Sequence, residues 1–333
     1  MLPARIDTHA HVLPPAWREE CSRQGYSVPV WTAEDHIRLM DELNISRSIL
    51  SITAPGTHIT PGDDAHARKI TREANEYVAS VVQAHPSRFG FFASLPLPDA
   101  DGSLEEIEYV SQNLHPVGFC LVANNHGIYL GDSKFDRVFD KLNAISAKVF
   151  IHPTNCRVSH TNGEFHKHGE SELIPRLPGA VLEYFFETAR AVTNLLLSGT
   201  VTRCPNTTFI IPHCGSVLPS ILERVTGFST QCLGLQGIPT SDAVIDLFHK
   251  QFYFDLAGYV LPDQLPAMLR LTSADKLLYG SDLPFPPVSV VRTLAESLDE
   301  YLKENVEEKV IAQIYNGNAA NLFGEQAQAS RSV

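Results

Sequence analysis

The chain has 333 residues, of which 44% are hydrophobic and 19% are charged, as is typical of a soluble globular enzyme built as one large domain or two ordinary ones. Its formal net charge of -12 and the absence of any stretch rich in Lys and Arg exclude a nucleic-acid-binding footprint. No apolar run approaches the ~18 residues that span a bilayer, and six cysteines without a Cys-x-x-Cys pair or an export signal predict a cytoplasmic protein with reduced thiols.

The first predicted strand carries two histidines. Residues 4–8 predict a short buried strand that leads into His9 and His11. Because side chains alternate along an extended backbone, these two imidazoles are expected on the same side, about 6–7 Å apart. Such a pair can hold one metal ion, although single histidines near strand ends more often make ordinary hydrogen bonds. The interpretation therefore depends on what the later strands contribute.

A regular alternation of strands and helices follows along the chain. The predicted strands cover residues 4–8, 48–53, 89–95, 117–122, 148–152, 207–212, 252–256 and 277–281. The first predicted helix begins at Thr32, and the later ones cover residues 63–84, 103–113, 135–146, 182–197, 217–225, 265–271, 290–301 and 306–322. Eight strands that alternate with helices predict an α/β fold, the closed (β/α)8 or TIM barrel.

Two segments are too long for simple turns between a strand and a helix. They are the stretch after His11, which continues to Trp31, and residues 154–178. We expect both to be loop insertions that form a lid over the carboxyl-terminal face of the barrel. No linker rich in Gly or Ser divides the sequence, so residues 1–325 are predicted to form a single barrel domain and residues 326–333 a frayed tail.

Candidate chemical groups recur where the predicted strands end. Short apolar runs lead into His152, His213 and Asp282, as the first strand leads into His9 and His11. In a barrel of parallel strands these carboxyl ends converge on one face, where chemistry takes place. Neutral imidazoles and a carboxylate are the ligand set of a zinc-type divalent metal with one position open for water or substrate. The sequence therefore predicts a metal site at this face.

Several longer motifs resemble one known family along nearly the whole chain. They are Ile6-Asp7-Thr8-His9-Ala10-His11, residues 88–96, His152-Pro153, residues 187–192, His213-Cys214-Gly215, residues 280–286 and the closing residues 317–323. Together they resemble the metal-dependent amidohydrolase superfamily, and within it the decarboxylase branch typified by aminocarboxymuconate-semialdehyde decarboxylase. This resemblance implies a homodimer that binds one Zn²⁺ per chain, with Mn²⁺ as the alternative.

The same resemblance implies roles for the strand-end residues. It makes His9, His11, His152 and Asp282 the metal ligands, and it makes His213 an unligated acid or base beside the metal. Relatives with two metals use a carboxylated Lys at a strand end. Lys148 stands four residues before His152 and is expected near the opposite end of its strand, which favours one metal.

A weaker likeness concerns the substrate. Residues 127–132 together with residues 51–53 resemble the subgroup that acts on 6-methylsalicylate and similar 2-hydroxybenzoates. Loss of CO₂ from such a ring needs a proton on the carboxyl-bearing carbon, and a metal that chelates the phenolate and a carboxylate oxygen would polarise the ring. We favour Asp282 as the group that protonates the ring and His213 as the orienting group, with the reverse assignment left open. The products would be 3-methylphenol and CO₂.

Four residues are candidates for contact with a small aromatic acid. Arg224 could pair with the carboxylate, and Trp17, Phe185 and Phe285 could form aromatic walls, although any of these three could instead belong to the hydrophobic core. Two other functions are open. One is a hydrolase of the same superfamily that opens a lactone or amide through a metal hydroxide; the other is a binding barrel without catalysis. The second predicts a missing ligand, and the sequence lacks none.

Overall fold

The computed structural model describes residues 2–155 and 179–324, in which the eight predicted strands all occur. A short antiparallel hairpin, with two residues in each strand, lies between the fourth and fifth of them, within the polar loop after residue 122. The strands are β1 (Arg5–His11), β2 (Ile45–Ser51), β3 (Phe89–Ser94), β4 (Gly118–Val122), β5 (Asn124–Asn125), β6 (Ile128–Tyr129), β7 (Lys148–His152), β8 (Thr208–Ile211), β9 (Phe252–Asp255) and β10 (Leu277–Leu278).

These strands form a closed parallel barrel. The order around the sheet is β1, β2, β3, β4, β7, β8, β9, β10, and each neighbouring pair is parallel. Parallel bridges from Asp7 to Tyr279 and from Ala10 to Leu283 join the last strand to the first. The predicted (β/α)8 barrel is thereby confirmed.

Helices surround the barrel, and polar side chains begin several of them. Thr32, Asp63 and Asp99 each accept a hydrogen bond from a backbone N–H in the first turn of the helix that follows, which satisfies an otherwise unpaired donor. The α-helices are α1 (Pro15–Arg23), α2 (Ala33–Glu42), α3 (Asp64–Ala84), α4 (Ala100–Asn113), α5 (Asp136–Ala144), α6 (Glu183–Leu197), α7 (Thr200–Arg203), α8 (Leu218–Gly227), α9 (Ser241–Gln251), α10 (Gln264–Met268), α11 (Val288–Asn305), α12 (Glu308–Ala312) and α13 (Asn318–Phe323). Across residues 2–155 and 179–324, no helix has both the length and the apolar character that a bilayer crossing requires.

Large side chains fill the interior of the barrel. Phe92 stacks on Phe150 with ring centroids 5.4 Å apart. The ring of Phe323, from α13, contacts Phe92 edge-on, with ring centroids 5.8 Å apart. The cluster consists of Ile6, Ile49, Phe92, Cys120, Phe150, Ile210, Leu278, Ala319 and Phe323. Because this centre is packed, polar groups that point inward can gather only at the two ends of the barrel.

Some sequence predictions need correction or lie outside the described residues. The stretch after His11, predicted as a loop, contains helix α1, and the sequence prediction also missed helix α9. Within α1, Trp17 is 1% exposed. Most of the predicted insertion at 154–178 and the predicted tail at 326–333 fall outside residues 2–155 and 179–324.

Candidate metal centre

Three histidines from two strands meet at the carboxyl end of the barrel. His9 and His11 end β1, and His152 is the last residue of β7. Their ring centroids are 5.1 Å apart for His9 and His11, 5.6 Å for His9 and His152, and 4.8 Å for His11 and His152. All three side chains are buried. The extended backbone of β1 places its two imidazoles on one side, as alternation predicts.

Asp282 and His213 complete the cluster from two further strand ends. Asp282 Oδ1 lies 3.1 Å from His11 Nε2 and 3.4 Å from His9 Nε2, and its Oδ2 lies 4.0 Å from His213 Nε2. Both residues have positive φ, 53° at His213 and 61° at Asp282. Non-glycine residues adopt this region at a cost, and such residues concentrate at functional sites. The turns after β8 and β10 thus aim both side chains at the same point.

The Nδ1 atoms of the three histidines on β1 and β7 each have a partner outside the cluster. His9 Nδ1 donates to Asp255 Oδ2 at 3.0 Å, His11 Nδ1 lies 3.1 Å from Ser51 Oγ, and His152 Nδ1 donates to the carbonyl of Pro153 at 2.6 Å. Such bonds fix the ring orientation and the tautomer of metal-binding histidines. They leave the other ring nitrogen of each histidine for a common partner.

The donor set fits a divalent metal ion. One group of ligand atoms comes from His9, His11 and His152, and an overlapping group comes from His9, His213 and Asp282; within each group the atoms lie within 4.8 Å of one another. Buried His9 Nε2 makes no hydrogen bond within the described residues, although a buried polar atom normally has a partner. Imidazole and carboxylate ligands suit zinc and manganese.

Burial and neighbouring charges shift the pKa values of the clustered residues, and for most of them the shift favours the unprotonated form that binds a metal. Burial, together with nearby His11 and His9, holds the pKa of His152 well below its usual range, and burial also lowers the pKa of His11. Burial opposes ionisation of the Asp282 carboxyl, yet the three neighbouring histidines, His11 first, hold its pKa well below the usual range. Burial lowers the pKa of His9, but the charge and hydrogen bond of Asp255 outweigh it and raise that pKa to about 10.

Aromatic rings surround the cluster on several sides. Phe150 lies beneath it, with its ring centroid 5.0 Å from that of His9. Phe185 stacks on His213 at 5.4 Å, and Phe285 meets His11 edge-on at 5.5 Å while 41% of it stays exposed. Two of the predicted aromatic contacts therefore lie beside the cluster, where a planar ring could pack between them.

The other two predicted substrate contacts have different positions. The Trp17 indole donates to the carbonyl of Gly56 at 2.8 Å within the hydrophobic core, so the core role that the sequence left open accounts for it. Arg224 is exposed near the end of α8, and its guanidinium lies 5.3 Å from the ring of Phe228. These contacts give Arg224 a place on the surface of the helix.

Sequence reasoning missed the buried carboxylate that supports the cluster. Asp255 ends β9 and is fully buried; besides His9, it accepts hydrogen bonds from the backbone N–H of His213 at 3.2 Å and of Ala257 at 3.0 Å. It therefore connects a predicted metal ligand with the predicted acid or base. Its signal in the sequence was an acid at the end of an apolar strand, the pattern that drew attention to His152.

A closed (β/α)8 barrel with imidazoles and a carboxylate at its strand ends defines a class of metal-dependent enzymes. The chain belongs to the amidohydrolase family, which matches residues 6–324. The family resemblance of the sequence is thereby confirmed.

Named relatives are similar in sequence over most of the chain. The chain is 34% identical to the decarboxylase yanB of Aspergillus niger, covering 96% of this chain and 87% of the relative. It is 32% identical to the 6-methylsalicylic acid decarboxylase of Penicillium expansum, covering 96% of each. Both relatives are named as decarboxylases, so the chain is similar to members of the family that catalyse this type of reaction.

Many solved structures are similar to this chain. An amidohydrolase II superposes with a TM-score of 0.82 at 28% identity, covering 96% of this chain and 99% of the other. A dihydroxybenzoic acid decarboxylase from Polaromonas, which holds manganese and the inhibitor 2-nitroresorcinol, superposes with a TM-score of 0.73 at 22% identity, covering 98% and 99%. The second likeness concerns the fold alone.

Proposed function

We propose that the protein is a metal-dependent, non-oxidative decarboxylase that converts 6-methylsalicylate, or a 2-hydroxybenzoate closely related to it, to the phenol and CO₂. The observation that carries the proposal is the meeting of two overlapping groups at one end of the barrel, His9 with His11 and His152, and His9 with His213 and Asp282. The 6-methylsalicylic acid decarboxylase of Penicillium expansum, 32% identical over 96% of this chain, supports the choice of substrate.

The proposed ligands are His9, His11, His152 and Asp282, which would hold one Zn²⁺ ion or, as the alternative, one Mn²⁺ ion. When bound, the ion supplies a Lewis acid that polarises the oxygen atoms of the substrate. The chain supports this set through Asp255, Ser51 and the carbonyl of Pro153, which orient the three imidazoles. A positive centre held inside the protein also offers local attraction for an anionic acid, which the formal net charge of -12 would otherwise repel.

The reaction consumes one proton for each CO₂ released. A C–H bond forms at the carboxyl-bearing carbon, and the C–C bond to the carboxylate then breaks, returning its electron pair to the ring. Asp282 is the proposed donor to the ring, because it lies beside three imidazoles; since its pKa is held well below the usual range, it must first receive the proton that it transfers. His213 Nε2 lies 4.0 Å from Asp282 Oδ2, so His213 is placed to hold the next proton and pass it on.

Aromatic side chains would orient the substrate ring. Phe285 and Phe185 lie on different sides of the cluster, against His11 and His213. A ring between them would displace water from the reacting carbon and keep its plane fixed. Alignment of this kind lowers the entropic cost of the proton transfer.

The test is incubation of the purified, metal-replete protein with 6-methylsalicylate, 2,6-dihydroxybenzoate and unsubstituted salicylate. Loss of each acid and formation of each phenol are followed by chromatography. We expect 3-methylphenol from 6-methylsalicylate at the highest kcat/KM of the three, and no product after treatment with a chelator. Restoration by added Zn²⁺ or Mn²⁺ would rank the two metals.

Two outcomes would contradict the proposal in different ways. Faster turnover of another acid would keep the decarboxylase and replace the substrate. No turnover of any acid by protein that holds about one ion per chain would overturn the decarboxylase, and lactone hydrolysis would then be the reaction to assay.

A further inference from the structure

A short hairpin contacts the backbone around His152. Ala123, just before β5, donates its backbone N–H to the carbonyl of His152 at 2.8 Å, and Asn124 Nδ2 donates to the carbonyl of Asn155 at 3.4 Å. Between these two acceptors lies Pro153, whose carbonyl accepts a hydrogen bond from His152 Nδ1 at 2.6 Å. The start of the hairpin therefore holds the backbone on both sides of the group that orients the His152 ring.

A buried carboxylate joins the two strands of this hairpin. Glu187 of α6 is 2% exposed. Its Oε2 accepts a hydrogen bond from Asn124 Nδ2 at 3.0 Å, and its Oε1 accepts one from the hydroxyl of Tyr129 at 2.6 Å. Asn124 of β5 and Tyr129 of β6 are directly paired in the hairpin, so their side chains share one face of it. Hydrogen bonds to an ionised carboxylate are stronger than those between neutral groups, and Glu187 thus fastens both strands to α6.

The side chain of Asn124 transmits the position of Glu187 to His152. Its amide group can donate two hydrogen bonds and accept others through its oxygen. The two donors go to Glu187 and to the carbonyl of Asn155, and Oδ1 accepts a hydrogen bond from the backbone N–H of Gly127 at 2.6 Å. Because these bonds fix the side chain on three sides, a shift of Glu187 would also move the backbone that follows His152.

Helix α6 also carries aromatic rings beside the cluster. Tyr184 lies three residues before Glu187, and its ring centroid is 6.2 Å from that of His152. Phe185, the next residue, stacks on His213 at 5.4 Å. Residues three apart are neighbours on a helix surface, so Glu187 and Tyr184 lie on the same side of α6. The carboxylate that holds the hairpin therefore belongs to the helix that packs against two members of the cluster.

A second buried glutamate has a different arrangement. Glu106 of α4 is 4% exposed, and it pairs with Arg72 at 2.8 Å besides accepting a hydrogen bond from Asn75 at 2.9 Å. In the described part of the chain, Glu187 instead receives its hydrogen bonds from two neutral donors. A buried carboxylate without a cationic partner is costly. This cost favours a role for Glu187 beyond the packing of α6.

We infer that Glu187 is a positioning residue for the metal centre. Through Asn124 it fixes the backbone of His152 and the carbonyl that orients its ring. Through α6 it keeps Phe185 against His213. Groups that orient a metal ligand from behind contribute about 10–100-fold to metal affinity. The inference rests on the proposed metal site, because it concerns the orientation of one proposed ligand.

Chelator competition on the full-length protein tests the inference, with Zn²⁺ and Mn²⁺ as separate probes. Glu187→Ala should weaken metal affinity by about tenfold, because Asn124 and Tyr129 lose their common acceptor. Asn124→Asp should weaken it at least as much, since the substitution replaces two donors by a second carboxylate beside Glu187. Thermal unfolding of the same variants without metal measures the accompanying change in Tm.

A double variant and a matched control separate positioning from stability. In Asn124→Asp/Glu187→Gln the donor and the acceptor exchange places, so the hydrogen bond between the two side chains forms again and metal affinity should return toward the wild-type value. Glu106→Ala removes a glutamate that is also buried. It should lower the Tm while metal affinity stays at the wild-type level.

The outcomes distinguish this inference from the proposed function. A wild-type protein that binds neither ion would overturn the proposed metal site and the inference with it. Wild-type metal affinity in both Glu187→Ala and Asn124→Asp would overturn the inference alone, whatever the Tm of these variants. An equal loss of affinity in Glu106→Ala, or no recovery in the double variant, would also overturn it and assign Glu187 to the stability of the fold.

Discussion

The two ends of this barrel place charged groups in opposite ways, although the same strands build both. At the carboxyl end, Asp282 faces three imidazoles and Asp255 supports one of them from behind. At the amino end, Arg47 on β2 and Lys148 on β7 make no ion pair within residues 2–155 and 179–324. One end is a connected network, and the other holds two cations that no such network joins.

This difference follows from how each end is built. The residues that end the strands, and the turns just after them, supply both acids and bases, so groups of both kinds gather at the carboxyl face. At the other end Gly90 and Gly118 contribute space instead of side chains. A cluster that combines imidazoles with a carboxylate can hold a metal ion, whereas cations alone cannot.

The largest expected effect is loss of the metal from the carboxyl end. His152→Ala should reduce metal content from about one ion per chain to near zero and abolish decarboxylation, because it removes one of three converging imidazoles. Metal analysis and product formation measure the two losses. His249→Ala, which removes an exposed histidine of α9, should change neither; retention of metal by His152→Ala would contradict the ligand assignment.

Next in size is the removal of His213, the residue proposed to hold the next proton and pass it on to Asp282. His213→Ala should lower kcat by about 10²–10⁴-fold while metal content stays at the wild-type level. Steady-state kinetics beside metal analysis separates proton transfer from metal binding. A kcat within a few-fold of the wild-type value would contradict the proposed role of His213 in proton transfer.

A smaller effect is expected from the carboxylate behind the metal ligands. Asp255→Asn should weaken metal affinity by about 10–100-fold, because His9 loses the charge that orients its ring. Competition with a chelator measures this affinity. Asp246→Asn, an exposed substitution on α9, should have the metal affinity of the wild type. An unchanged metal affinity in Asp255→Asn would show that the hydrogen bond between Asp255 and His9 does not contribute to metal binding.

The raised pKa of His9 predicts the pH dependence of metal binding. Since this pKa is about 10 in the metal-free protein, a metal must displace a proton from His9 below that pH. Affinity should therefore rise by about tenfold per pH unit between about pH 7 and pH 9, and it should rise less steeply in Asp255→Asn. An affinity that is independent of pH in the wild type would contradict the assigned charge state.

The smallest effect concerns stability at the amino end. Arg47→Met should change the free energy of unfolding by no more than about 1 kcal/mol, or increase it, because the variant removes an unpaired buried charge. Arg5→Met, which removes the cationic partner of Asp299 and leaves it only the hydroxyl of Tyr315, should lower that free energy by about 3 kcal/mol. Urea unfolding compares the two, and an equal loss in both would contradict the contrast between these arginines.

The barrel could be predicted because its signals are local. Each strand is a short apolar run, and each candidate ligand ends such a run, so one rule about the carboxyl ends of parallel strands placed His9, His11, His152, His213 and Asp282 on one face. The same rule applied to Asp255, but an acid at a strand end is also an ordinary solvent-facing residue. Only its burial against His9 distinguishes the two.

Other features depend on contacts between distant segments. Trp17 lies in a stretch without clear periodicity, and its contact with Gly56 crosses to the loop after β2. The position of Arg224 depends on the direction of α8 and on the ring of Phe228. Neither neighbour could be inferred from spacing along the chain.

The sequence by itself determined the fold class, the strand ends and the residue types available there. These features could be inferred because a strand, and the point where it ends, are marked by the pattern of only a few consecutive residues. The tertiary structure decided which of those residues meet, how Asp255 supports His9, and that Arg47 and Lys148 make no ion pair with the part of the chain that the structure describes. Partnership and burial depend on the closure of the barrel, which brings residues 5–11 against residues 279–283.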